Sequence, residues 1–190
     1  MINQKIILLL FLMIFFINSC NSNKIPQVSK KNINTKPNEE YFKNTITYYG
    51  ELSQEEYKII REQIEKELPY AIPHENAILI NFSQKAPNCI SLNNNQKSFF
   101  KSLQEGVEIS SRLSSLNSTS DFFVFSEDAF YKDQVDMKSN FFNDSGYFYN
   151  NVFTDHDICE AFFILKTNGK FMKYYGEDYF SKVRVFLEMN

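Results

Sequence analysis

Three cysteines and two histidines hold the thiol and imidazole chemistry of this chain, and most of it sits in two short stretches. The first stretch, Ser83-Gln84-Lys85-Ala86-Pro87-Asn88-Cys89, follows an apolar run that ends at Phe82. The second, Thr154-Asp155-His156-Asp157-Ile158-Cys159, leads into another apolar run that starts at Ala161. His74 lies apart, ahead of the first run. A thiol at a helix N-terminus is favoured as thiolate by the helix dipole and the free N–H groups there, and Cys89 is a candidate for that position. Cys89 and Cys159 have three open readings: a redox pair, a static disulfide, or two separate small core residues. His156 is either a metal ligand or a loop histidine held by Asp155 or Asp157. Lys85 either lowers the Cys89 pKa or is a solvated loop lysine.

Cys20 belongs to a different context. Lys5 precedes an apolar run from Ile6 to Ile17, and Asn18-Ser19-Cys20 follows. A run of about a dozen apolar residues is too short for a spanning helix of ~20. Ile17-Asn18-Ser19-Cys20 resembles a bacterial lipobox. That resemblance implies a lipid on the Cys20 thiol, removal of residues 1–19, and a protein anchored in the cell envelope facing the periplasm or exterior. Residues 20–44 are polar, rich in Asn, Lys and Ser, and contain Pro26 and Pro37, so they read as a flexible tether. The folded domain is expected over residues 45–190, a size that supports one core. In an exported protein, the two cysteines beyond Cys20 suggest a disulfide, a redox pair or a metal site. Net charge is −3, from 23 acidic and 20 basic side chains, so no nucleic-acid footprint is present.

The elements that must position these residues follow from patterning. Ser53 and Glu56 form a capping-box pair, and Tyr57, Ile60, Ile64 and Leu68 make one apolar stripe, which predicts a helix over 53–68. Pro69 closes it. Residues 77–82, 121–125 and 161–165 are apolar runs of strand length. A helix from about residue 95 carries Phe99, Phe100, Leu103 and Val107 and extends through Leu116. Residues 127–149 alternate polar and aromatic types and predict a short helix with loops. Asn168-Gly169 predicts a type I′ hairpin turn, with positive φ at both residues, into a returning strand at 171–175. A last amphipathic helix is expected over 179–189. The order predicts an α/β domain with a central mixed sheet flanked by helices, and it is that of a thioredoxin-like fold.

With that order in place, Phe82-Ser83, Cys89, Asp155-His156 and the stretch Phe163-Ile164-Leu165-Lys166-Thr167-Asn168-Gly169-Lys170-Phe171-Met172-Lys173-Tyr174-Tyr175-Gly176 resemble the Sco/SenC family. These are membrane-anchored, thioredoxin-fold copper chaperones of oxidase assembly. The resemblance implies metal ligands at Cys89, which matches the family's second cysteine, and at His156. Lys85 stands where the family has its first cysteine, and an ammonium supplies no thiolate for Cu(I). Copper is therefore the one cofactor implied, at an incomplete site, and weak or no Cu(I) binding is expected. No C-x-x-C pair, phosphate loop, zinc spacing or serine-nucleophile motif is present. Three readings remain: thiol redox or copper handling for oxidase assembly, a degenerate thioredoxin-fold module that binds an envelope protein partner without catalysis, or an unrelated lipoprotein whose α/β order imitates the fold.

Overall fold

The computed structural model describes residues 44–68, 70–89, 96–135, 140–177 and 180–189. The lipobox, the tether and Pro69 lie outside the described residues. Six strands form one mixed sheet: β1 (Ile46–Glu51), β2 (Ala77–Ser83), β3 (Thr119–Phe125), β4 (Phe141–Asn143), β5 (Glu160–Leu165) and β6 (Lys170–Tyr175), in the spatial order β1-β6-β5-β2-β3-β4. β2, β3 and β4 run parallel, while β5 and β6 are antiparallel to their neighbours and β1 is antiparallel to β6. Among the described residues three helices accompany it: α1 (Gln54–Glu67), α2 (Gln96–Leu116) and α3 (Phe180–Glu188). Among the described residues no helix is long and apolar enough to cross a membrane.

α1 starts where the capping box predicts. Ser53 Oγ accepts the Glu56 N–H, and the Glu56 carboxylate accepts the Ser53 N–H at 2.8 Å. The Ser53 hydroxyl, which donates to that carboxylate at 2.7 Å, and then the Ser53 N–H hold the Glu56 carboxyl below its usual range. Ile64 and Leu68 press onto one face of the sheet, against Ile78, Ile80, Phe122 and Val124. Arg61 is buried on the same helix, and its guanidinium donors are taken up. They reach the carbonyls of Ile72, Pro73 and Asn76 at 3.2, 2.7 and 3.1 Å, with Tyr57 and Glu65 as further partners. A buried charge is tolerable only when paired in this way. Its effect here is to pin the segment between α1 and β2 to the helix.

α2 and α3 cover the opposite face. Leu79, Phe162, Ile164, Met172 and Tyr174 meet Leu113 of α2 and Val183 and Phe186 of α3. Farther along, Phe123, Phe125 and Phe141 meet Phe99, Phe100, Leu103 and Val107 of α2. The result is a three-layer α/β/α sandwich whose central strand, β2, is buried on both sides.

Three expectations need correction. First, the hairpin between β5 and β6 is not a type I′ turn. Gly169 has φ +85°, but Asn168 is not among the positive-φ residues. The Gly169 N–H bonds Lys166 O at 3.0 Å and the Lys166 N–H bonds Lys170 O at 2.9 Å. This is a three-residue loop with one left-handed glycine. A Cβ on Gly169 would also lie 2.7 Å from Leu52 O, so glycine is required there twice over. Second, β1 is a strand that the expected order lacks. Third, 127–149 contains, besides the short 3-10 turn Lys132–Gln134, a parallel edge strand, β4, followed by a π-turn at Phe148–Val152.

Candidate functional site

β2, β3 and β4 end side by side, and β5 begins at the same end of the sheet, since Ser83 pairs with Glu160 and Phe125 with Ser83 and Asn143. The segments leaving these strands are therefore brought together. In open α/β sheets this end is where ligands commonly sit. Backbone bonds tie the segments: Ser126 N–H to Ser83 O at 2.9 Å, Asp144 N–H to Phe125 O at 2.8 Å, and Asn88 N–H to Asp157 O at 3.1 Å.

Cys89 and Cys159 meet here as a disulfide with a Cα–Cα distance of 5.1 Å. Both residues are buried, at 4% and 3% exposure, in a small apolar cluster with Ala86 and Phe130. Both sulfurs lie against the Ala86 carbonyl oxygen, at 3.0 and 3.8 Å. Of the three readings for the cysteines, separate core residues is excluded. The described part of α2 starts at Gln96, seven residues after Cys89. The Cys89 sulfur is bonded to that of Cys159 and is therefore not a thiolate in this state.

The centre of the site is a residue that sequence reasoning passed over. Gln84 is 2% exposed and makes four bonds to the second stretch. Its N–H donates to Cys159 O at 2.8 Å, and its side-chain amide donates to Asp155 O and Ile158 O at 2.9 and 2.8 Å. Its Oε1 lies 2.8 Å from His156 Nδ1. With both amide hydrogens committed to carbonyls, Oε1 can only accept, so Nδ1 must carry the proton. The neutral His156 ring then offers only Nε2 as an acceptor. His156 is thus held by Gln84 and not by Asp155 or Asp157. The Asp155 carboxylate instead accepts the Asp157 N–H at 3.0 Å. The one signal in the sequence was a glutamine immediately after a core strand, where a buried amide can latch a neighbouring loop.

Tyr149 completes the assembly. Its ring stacks on His156 with centroids 3.8 Å apart and planes 11° from parallel. Of the aromatic residues in 147–153, Tyr149 alone both stacks on His156 and borders a cleft of about 410 Å³ between segments 126–128 and 144–150. Phe148 and Phe153 face the core instead. The Asp144 carboxylate holds the π-turn by accepting the Phe148 and Tyr149 N–H groups at 3.0 and 2.8 Å. Asp128 accepts the Ser126 hydroxyl at 2.6 Å. Lys85 is exposed.

Among the described residues no three His, Cys, Asp or Glu side chains group so as to hold a metal ion. The two sulfurs are bonded to each other, which leaves His156 Nε2 as the single donor at the implied copper ligands. The residues present in this state do not fit a Cu(I) site, which takes soft thiolates.

Glu160, next to Cys159, has an unusual carboxyl. The residue as a whole is half-buried, and the enclosed end is the part that titrates. Burial first, and then the like charge of Glu177, push its pKa up from 4.5 to about 8. The folded form therefore keeps a proton that the unfolded chain releases between those values. This contribution to stability is fully present below about pH 4.5 and is lost as pH rises through about 8. Glu160→Gln should flatten the pH dependence of denaturant midpoints across that window. An unchanged slope in the variant would show that another group titrates.

No family model, no curated protein and no solved structure matches this chain. The class of the molecule therefore rests on fold and site: a mixed α/β domain with a buried disulfide and a histidine–glutamine–tyrosine assembly at the carboxyl ends of its parallel strands.

Proposed function

We propose that this protein is an envelope lipoprotein whose domain is a thioredoxin-like, Sco/SenC-related module that binds an envelope partner without catalysis. The observation that carries this reading is the fate of the two thiols. Cys89 and Cys159 are joined and buried, and an exposed Lys85 occupies the position of the missing thiol. Exchange chemistry needs a sulfur open to an attacking thiolate. The thioredoxin-like assignment is supported by topology. β2-α2-β3 is a parallel unit, β5 and β6 are an antiparallel hairpin beside β2, and α3 packs on the same face as α2. β4 and β1 extend the two edges.

The test compares wild type with the paired variant Cys89→Ala/Cys159→Ala. The two should show the same background in a thiol–disulfide exchange assay. Exchange by wild type well above the variant would overturn the reading. The anchor is checked separately: Cys20→Ser should abolish lipid attachment and release the protein from membranes, and a mature protein with unmodified Cys20 would refute it.

A second reading, redox or copper handling, is favoured by one observation: Gln84 ties Cys159 and His156 into a single network. Reduction by a dithiol would convert the disulfide to two thiols beside that network. Titration of the reduced protein against a competing Cu(I) chelator decides it. Weak binding is expected, strengthened by Lys85→Cys, and tight wild-type binding would restore the copper role.

A further inference from the structure

We infer that the outer side of α3 and the adjoining β1 edge form a surface that lies against an anionic phospholipid bilayer. This inference rests on the lipid-anchor reading for its geometry. Tyr49 of β1, Val185 of α3 and Met189 just beyond it are 64%, 54% and 54% exposed. They are neighbours by their partners. The Tyr49 ring lies 6.0 Å from that of Phe186, and Lys182, Val185 and Met189 fall on one side of the helix at spacings of three and four.

Cations surround these apolar groups. Lys182 Nζ sits 4.6 Å over the Tyr174 ring and 3.5 Å from Thr47 Oγ1, which joins α3 to β1. Lys166 Nζ sits 5.0 Å over Phe186 and bonds the Met189 carbonyl. Lys170 lies opposite Glu51 in the β1–β6 register, and Arg184 and Glu188 are exposed elsewhere on α3. A chain with net charge −3 thus places a positive patch around exposed Tyr, Val and Met side chains. That combination suits a headgroup region, where tyrosine is amphipathic and lysine stems cover apolar surface while the ammonium stays in water.

The attachment point favours the same occupant. The chain enters the domain through β1, the strand that borders this patch. A chain of the length of residues 21–44 reaches at most about 85 Å. A lipid on Cys20 would hold the domain within that distance of the bilayer, so that a weak surface affinity acts at a raised effective concentration.

The experiment uses the mature lipidated protein reconstituted into vesicles, either of phosphatidylcholine alone or with phosphatidylglycerol added. Lysines are labelled with a water-soluble acylating reagent, and labelling at each site is read by mass spectrometry. Lys170 and Lys182 should be protected several-fold in the phosphatidylglycerol vesicles. Lys58, on the exposed side of α1, should be unaffected and serves as the internal control. High salt should remove the protection, as should Tyr49→Ser/Val185→Ser/Met189→Ser in a variant with unchanged circular dichroism. Equal labelling of Lys170 and Lys182 in both vesicle types overturns the inference, whether they are protected in both or in neither. Failure of the anchor itself reads differently, since the protein would then not remain with either vesicle.

Discussion

Removing the Cys89–Cys159 cross-link should cost about 4 kcal/mol, the loop-closure entropy expected for cysteines 70 residues apart. Either Cys89→Ser or Cys159→Ser should lower the thermal midpoint by on the order of 10 °C for a domain of this size. Reducing the wild type should reproduce most of that shift. The fold should survive it, because Gln84 and Asn88 still clamp the 84–89 segment to the 155–159 segment through backbone and side-chain bonds. Thermal melts with and without reductant are the check. Coincident melts would mean that the bond does not constrain the unfolded chain.

The second large effect is expected at Phe153. Its ring is fully buried, stacks on Phe82 at 4.5 Å with planes 11° apart, and meets Tyr175 edge-on at 6.3 Å. Phe153→Ala removes all of these contacts and leaves a cavity beneath the site, so a loss of about 3–5 kcal/mol is expected. Phe142→Ala, half-buried on the edge strand β4, should cost clearly less. Phe153 also separates the π-turn that carries Tyr149 from the segment that carries His156. Its loss should therefore loosen the Tyr149–His156 stack and let the His156 tautomer interconvert. Chemical denaturation gives the first quantity, and nitrogen chemical shifts of the imidazole give the second. An intact single tautomer in the variant would uncouple the two segments.

Much of this architecture was legible in the residues. The capping box placed α1 because its two bonds are local, involving only residues 53 and 56. β2, β3 and β5 announced themselves as largely apolar runs, broken in β2 by Asn81, because both of their faces are covered. The two edge strands did not. β1 reads Ile-Thr-Tyr-Tyr-Gly-Glu with both Tyr48 and Tyr49 exposed, so its pattern has no clean alternation, and its pairing with β6 is purely tertiary. β4 has three residues, too few to show any period. The turn at 166–170 differs from the expectation because Asn-Gly occurs in two loop geometries, and the bond from Lys166 N–H to Lys170 O makes the loop three residues long.

The site divided along the same line. Both cysteines and His156 stood out by chemical type, and their convergence followed from strand order. Gln84 did not stand out, since a side-chain amide becomes decisive only when burial sets it against two carbonyls and an imidazole.

The pairing of β1 with β6 bears on how the chain assembles. The two strands lie roughly 120 residues apart in sequence, yet they are neighbours at the sheet margin. A polypeptide emerging N-terminus first would carry β1 without β6 until about the last tenth of its length arrived. Over that interval Tyr48 and Tyr49 would be available to carriers and to other copies of the same strand. Final closure would then come in one late step, with β6 docking on β5 and receiving β1. Chains cut short before Lys170 would lack β1's partner as well as the residues removed, and would expose β5 as a raw margin. Such fragments should be prone to clumping and to proteolysis, so the C-terminal segment acts as a completeness check on the newly made chain.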